Sequence, residues 1–179
     1  MTSMFTFVSG NLALDFAGTV KHRSTTYIDG LTTADALAEW LVDAGLLDTA
    51  ACAPPQLEHA VRLREAIYRM GVAAAANAPI AAADRRWIND CARGELPTVT
   101  LRSDDTIARA GTPEAALTAI ARAAVELFGG GDRVRVKQCS RPSCTRLYLD
   151  TSRGGTRRWC DMTLCGNRAK SAAFRAKHA

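Results

Sequence analysis

The chain has 179 residues, 47% of them hydrophobic, enough for one moderate globular core and a small appendage. No apolar run approaches the ~18 residues of a membrane span, and the Ala-rich stretch from Gly71 to Ala83 is broken by Asn77 and Pro79, so a cytoplasmic protein is expected and a membrane protein is not. The net charge of +5 hides an asymmetry: residues 1–132 hold 16 acidic and 11 basic side chains, whereas residues 133–179 hold 12 basic and 2 acidic.

Taken in order, Phe5 to Val8 reads as a short strand. Leu12, Phe16 and Val20 recur every four residues and predict a helix over 11–20. Asp15 lies beside that stripe, as a cap for a neighbouring helix or as a ligand-binding carboxylate. His22, in the polar connection that follows, reads as plain surface. Thr32 and Asp35 suggest a capping box ahead of a helix with Leu37, Trp40, Leu41 and Ala44 on one face, ended by Gly45. Pro55 suits a first helical turn, and Leu57, Val61, Arg64, Ile67, Met70 and Ala74 carry that helix to about Ala76, where Asn77-Ala78-Pro79 stops it. Residues 81–91 predict another helix, burying Trp87, Ile88 and Cys91. Cys52 and Cys91 lack metal-like neighbours and read as buried free thiols.

At Leu96-Pro97 the period changes. Val99 and Leu101 alternate with polar residues, Ser103-Asp104-Asp105 turns, and residues 107–110 return, predicting a β-hairpin. Thr112-Pro113 opens a helix with Leu117, Ile120, Ala121, Ala124, Leu127 and Phe128 on its apolar face. Gly129-Gly130-Gly131 ends it and serves as a linker. The expected fold class is mainly α with small β: a helical domain containing a hairpin over 1–131, then a small finger over 132–179. A pocket in the helical domain using Asp15, Arg62 or Arg64 is a candidate small-molecule site.

The finger is announced by cysteines. Cys139 and Cys144 are spaced as Cys160 and Cys165 are, with fifteen residues between the pairs and no His between Gln138 and Lys177. Four thiolates suit one structural Zn²⁺ in a closed tetrahedron, which leaves no position for a catalytic water. Disulfides are the alternative, disfavoured because Met1-Thr2-Ser3 opens no basic and apolar leader; an iron–sulfur cluster is the other. Arg141-Pro142-Ser143 supplies the turn of a knuckle between strands near 134–137 and 146–149. Residues five apart on an α-helix point about 140° from each other, so Cys160 is expected before a helix and Cys165 in its first turn, with Asp161 or Thr163 as cap. Knuckle, hairpin and ligand-bearing helix make a treble clef.

Even with four thiolates on Zn²⁺, this segment stays basic and points to a polyanion, DNA before RNA, or to docking on the acidic remainder of the chain. Arg153, Arg157 and Arg158, from the Gly-rich loop, are candidate phosphate contacts. Arg168 suits guanine and Asn167 adenine in a major groove. Lys170 and Arg175 extend the basic set, Arg175 on the face of Arg168 and Phe174 off it against Leu147 or Trp159. The alternatives are structural: Asn167 bonding a ligand sulfur or the knuckle, and Arg168 pairing with Asp150. His22, His59 and His178 are scattered and no catalytic or nucleotide motif appears, so no enzyme is expected.

Arg157-Arg158-Trp159-Cys160-Asp161-Met162, then Cys165-Gly166-Asn167-Arg168-Ala169-Lys170, resembles the CGNR zinc finger, and Leu149-Asp150-Thr151-Ser152-Arg153 matches its upstream pattern. Leu12-Ala13-Leu14-Asp15-Phe16 resembles the opening of the helical ABATE domain that accompanies this finger, although Gly18 stands where that family usually has Asn. The resemblance implies a stress-responsive, DNA-binding transcription regulator, whose helical domain senses a small-molecule signal or forms a homodimer. An RNA-binding or protein-interaction module is the alternative, because the fold alone does not settle function.

Overall fold

The helix with the clearest apolar stripe is the spine of the molecule. The computed structural model describes residues 5–168 and Ser171. Helix α3 (Pro54–Ala75) starts on two prolines and buries Ala60, Leu63, Ile67, Met70, Gly71 and Ala74 along one side. Asn77, at φ 50°, turns the chain away from it. Around α3 pack α1 (Leu12–Ala17), α2 (Ala34–Asp43), α4 (Ala82–Cys91) and α5 (Pro113–Gly129). Leu14, Phe16, Trp40, Ile67, Leu117 and Ile120 are each 0–1% exposed, except Leu117 at 2%, and lie in one continuous core.

Local chemistry moves three boundaries. The first helix ends at Gly18 and hands Val20 to a two-residue strand, β1 (Val20–Lys21), paired antiparallel with β2 (Ile28–Asp29). Thr19 Oγ1 donates to the Phe16 carbonyl at 2.8 Å and closes that turn. The cap of α2 is Thr33 rather than Thr32, its Oγ1 accepting the Ala36 N–H at 3.1 Å, and Gly45 (φ 67°) reverses the chain beyond the helix. Phe5 to Val8 forms no strand, because side chains take its polar groups: Val8 N–H donates to Asp15 Oδ1 at 3.0 Å and Arg146 Nη1 to the Thr6 carbonyl at 3.0 Å.

Strands β3 (Thr98–Leu101) and β4 (Ile107–Ala110) form the expected hairpin, with Val99 opposite Arg109 and Asp105 at φ 61° in its turn. It stands away from the core, its Leu101 70% exposed.

Helix α5 is capped by Thr112, as expected. The three glycines leave no slack: Gly129 closes the helix, Gly130 caps it and Gly131 opens a 3-10 turn to Arg135. Antiparallel β5 (Val136–Gln138) and β6 (Leu147–Leu149) follow. Val136, Leu147 and Leu149 point into the helical core, while Tyr148 points to the cysteines. Gly71 makes the fit possible, since a Cβ there would lie 2.5 Å from Leu147 Cδ1. The Leu149 N–H also donates to the Ser9 carbonyl at 2.7 Å, so the hairpin is one wall of the helical body.

Candidate metal centre and nucleic-acid interface

Four sulfurs meet behind Tyr148. Cys139 directly follows the first strand of the knuckle, and the Cys144 N–H donates to the Arg141 carbonyl at 2.8 Å, closing the turn that Pro142 presets. Cys160 precedes a single π-turn, Met162–Gly166, which carries Cys165. Asp161 caps that turn by accepting the Leu164 N–H at 2.7 Å, and its carbonyl accepts the Gly166 N–H at 3.0 Å. Gly166 is there for space: a Cβ would lie 2.9 Å from Met162 Sδ and 3.3 Å from Trp159 Cδ1.

The sulfur positions fit zinc. All four lie within 4.8 Å of one another, with Cys144–Cys160 at 3.8 Å and Cys160–Cys165 at 3.6 Å. Zinc–thiolate bonds of about 2.3 Å at the tetrahedral angle put sulfurs about 3.8 Å apart. A disulfide would need about 2.05 Å. Hydrogen bonds from Cys144 and Cys160 hold the Cys139 thiol far below its usual range, and sharing the same bonds pushes Cys144 up to about 11 and Cys160 higher still. Such crowded thiols lose their protons together only when a cation compensates them. The centre therefore holds one structural Zn²⁺, which ties knuckle to turn.

The charges around it divide into two sets, and the first is structural. Asp150, 1% exposed, accepts from Lys137 Nζ at 2.6 Å, from Ser152 N–H and Oγ at 3.0 and 2.6 Å, and from the Arg157 N–H at 3.2 Å. The Lys137 ammonium, followed by the Ser152 hydroxyl, holds its carboxyl well below the usual carboxylate range. Arg157 Nε donates to the Trp159 carbonyl at 2.8 Å, its Nη2 reaches the Val8 and Cys160 carbonyls, and its guanidinium lies 4.6 Å from the Tyr148 ring centroid. The Tyr148 hydroxyl donates to the Arg157 carbonyl at 2.6 Å. Arg146 ties the knuckle to the Thr6 and Gly18 carbonyls, in space that a side chain at Gly18 would take. His22 is no plain surface residue, because its Nδ1 contacts the Ser143 carbonyl inside the knuckle.

The second set is free. Arg153, Arg158 and Arg168 are exposed, and none has an ion pair or side-chain hydrogen bond among the described residues; Arg158 rests 5.4 Å from the Trp159 ring centroid. Asn167 is exposed and its side chain bonds neither a sulfur nor the knuckle among those residues. Asp150 has other partners than Arg168. Lys170, Phe174 and Arg175 lie outside the described residues.

The three residues expected to bind a small molecule are not brought together. Asp15 accepts the Val8 and Ser9 N–H groups at 3.0 and 2.9 Å, and burial raises its pKa in spite of those bonds. It pins the preceding loop instead of capping a neighbouring helix. Arg62 lies 3.5 Å over the Trp87 ring. Arg64, 1% exposed, grips Asp29 through two bonds of 2.6 and 2.9 Å and Glu65 at 2.9 Å. The charges of Asp15 and Arg64 are used inside the fold, and Arg62 stays exposed over the Trp87 ring. Of the two lone thiols, Cys91 sits 3.4 Å from His59 Nε2, and burial pushes its pKa up to about 11.

Sequence reading missed Arg146, Arg157 as an internal brace, and His22. Local spacing carries no signal for Arg146, whose carbonyl partners lie 140 and 128 residues upstream. Arg157 had the signal of an aromatic residue nine positions upstream, legible only once Tyr148 faces the cysteines.

Among the described residues no helix is long and apolar enough to cross a membrane. No curated protein matches the chain. Two family models do. The CGNR zinc finger matches residues 135–178, over the knuckle, the π-turn and the four cysteines. Residues 10–131 match ABATE, a family described as a putative stress-induced transcription regulator, and the chain belongs to that family, with a CGNR zinc finger as its metal-binding segment.

Proposed function

We propose that this protein is a regulator that binds duplex DNA through its zinc finger and acts by binding, without catalysing a reaction, while the helical domain receives a signal. The observation that carries the reading is the sorting of charge in the finger. Arg135, Lys137, Arg146 and Arg157 are each committed to internal acceptors, yet Arg153, Arg158 and Arg168 stay exposed with no acidic partner among the described residues. Unpaired arginines around a rigid metal centre are suited to phosphates and base edges. One finger buries only about 600–1,000 Å² on DNA. A second copy, bringing a second finger, would supply the rest of the interface.

The test is fluorescence anisotropy of the zinc-loaded protein with labelled duplex DNA and matched RNA across a salt series. Log affinity should fall linearly with log salt, by about 0.9 for each phosphate neutralised. Arg153→Ala, Arg158→Ala and Arg168→Ala together should flatten that slope by about 2 to 3. A duplex bound with unchanged slope by the triple variant would clear these arginines of contact. RNA retained while DNA is ignored would shift the assignment to an RNA-binding module.

A further inference from the structure

Asp15, Arg62 and Arg64 do not form a shared site, but a different cavity in the helical domain is open. It measures about 460 Å³ and lies where α3, α4 and α5 converge. That volume falls in the range of small-molecule sites, about 300–1,000 Å³. Its floor is apolar: Met70, Ile88 and Phe128 are 4%, 1% and 5% exposed, with Ile80 and Val125 beside them. Its polar lining is narrow in kind. Two arginines, Arg85 and Arg133, and the amide of Asn89 line it, and no carboxylate does. This is notable in a domain with 16 acidic residues against 11 basic ones up to residue 132.

Both arginines are held by backbone rather than by a counter-ion. Arg85 Nη2 donates to the Ile80 carbonyl at 3.2 Å and Arg133 Nη2 to the Ala78 carbonyl at 2.9 Å. Neither forms an ion pair among the described residues, and each guanidinium keeps most of its five N–H donors. Arginine presents those donors as a planar fork that matches a carboxylate in two parallel bonds.

We propose that this cavity binds a small organic carboxylate with an apolar body, the chain or ring on the Met70–Ile88–Phe128 floor and the carboxylate on Arg85 and Arg133. The assignment rests on the reading of the helical domain as a receiver of signals, and its position suits that role. Arg133 lies in the 3-10 turn between the two matched segments, two residues before Arg135, whose Nε donates to the Asp150 carbonyl at 3.0 Å. A ligand engaging Arg133 therefore acts on the turn that carries the finger.

The experiment is calorimetric titration of the zinc-loaded full chain with octanoate and, as a neutral isostere, octanamide, with no nucleic acid present. Octanoate should give a saturable one-to-one heat, and octanamide should bind at least tenfold more weakly. Arg85→Met with Arg133→Met should reduce octanoate to the level of the amide. Val125→Trp fills the cavity without changing charge and should abolish binding of both, which keeps the test decisive if the double arginine variant misfolds. Octanamide binding as tightly as octanoate, no heat from either probe, or octanoate binding unchanged in Val125→Trp would each overturn the proposal. A failure of DNA binding leaves this titration intact, so the two readings fail separately.

Discussion

Replacing Asp150 with Asn tests whether the shape of the finger depends on one buried carboxylate. The substitution keeps the size but turns one acceptor oxygen into an NH2 group. Asp150 Oδ2 receives Lys137 Nζ and the Arg157 N–H, and Oδ1 receives the Ser152 N–H and hydroxyl. Whichever way the amide is turned, two donors meet a donor. Removing one partner of a buried pair costs about 3–5 kcal/mol, and the low end applies because solvent screens Lys137, which is 37% exposed. At about 2–4 °C per kcal/mol for a chain of this size, the zinc-loaded variant should melt about 6–12 °C below the wild type at pH 7. The sign with pH follows from the depressed carboxyl. Its contribution is fully present above the usual carboxylate range near pH 4 and is lost as pH falls through the lower folded value, so the gap should narrow in acid. Calorimetric melts of the zinc-loaded proteins at pH 7, and at the lowest pH at which both still hold their zinc, give the comparison. A variant melting within 1 °C of the wild type at pH 7, about the error of such melts, would refute the account of Asp150 as the pin of the finger.

Arg157→Ala and Arg158→Ala should part company: the first breaks bonds to the Trp159, Val8 and Cys160 carbonyls and should lower the melting temperature, while the second should change stability by no more than about 0.5 kcal/mol and weaken only DNA binding, as melts beside anisotropy would reveal. Arg64→Ala strands Asp29, whereas Glu65 keeps its pair with Arg23, and should cost about 3–5 kcal/mol in urea unfolding; a loss below 1 kcal/mol would show that the Arg64–Asp29 pair is worth no more than a surface pair. Chelation of zinc, or Cys144→Ser, should destabilise the helical core as well as the finger, because Val136, Leu147 and Leu149 belong to both; hydrogen exchange should rise in α3 around Gly71, and unchanged protection there would separate the two units. Zinc occupancy should also fall with acid, since binding requires four thiolates and protons compete for them.

Much of this molecule is written in short-range pattern. The apolar stripe of α3, the Thr112-Pro113 start of α5, the hairpin at 98–110 and the four metal ligands were all legible, because helical period, turn chemistry and ligand spacing act over a few residues. The spacing of Cys160 and Cys165 even placed one ligand before the final turn and one within it, and of the two candidate caps, Asp161 and Thr163, Asp161 takes the role. What stayed hidden was the use of charge. Twelve basic residues in the last 47 looked like one surface, and only the tertiary structure divided them into braces and free contacts. The same holds for Asp15 and Arg64, polar residues near apolar stripes whose partners, Ser9 and Asp29, come from other segments. The physical reason is common to these cases: a hydrogen bond or ion pair depends on which backbone and side-chain groups are brought within about 3 Å, and folding brings together groups that sequence distance does not relate.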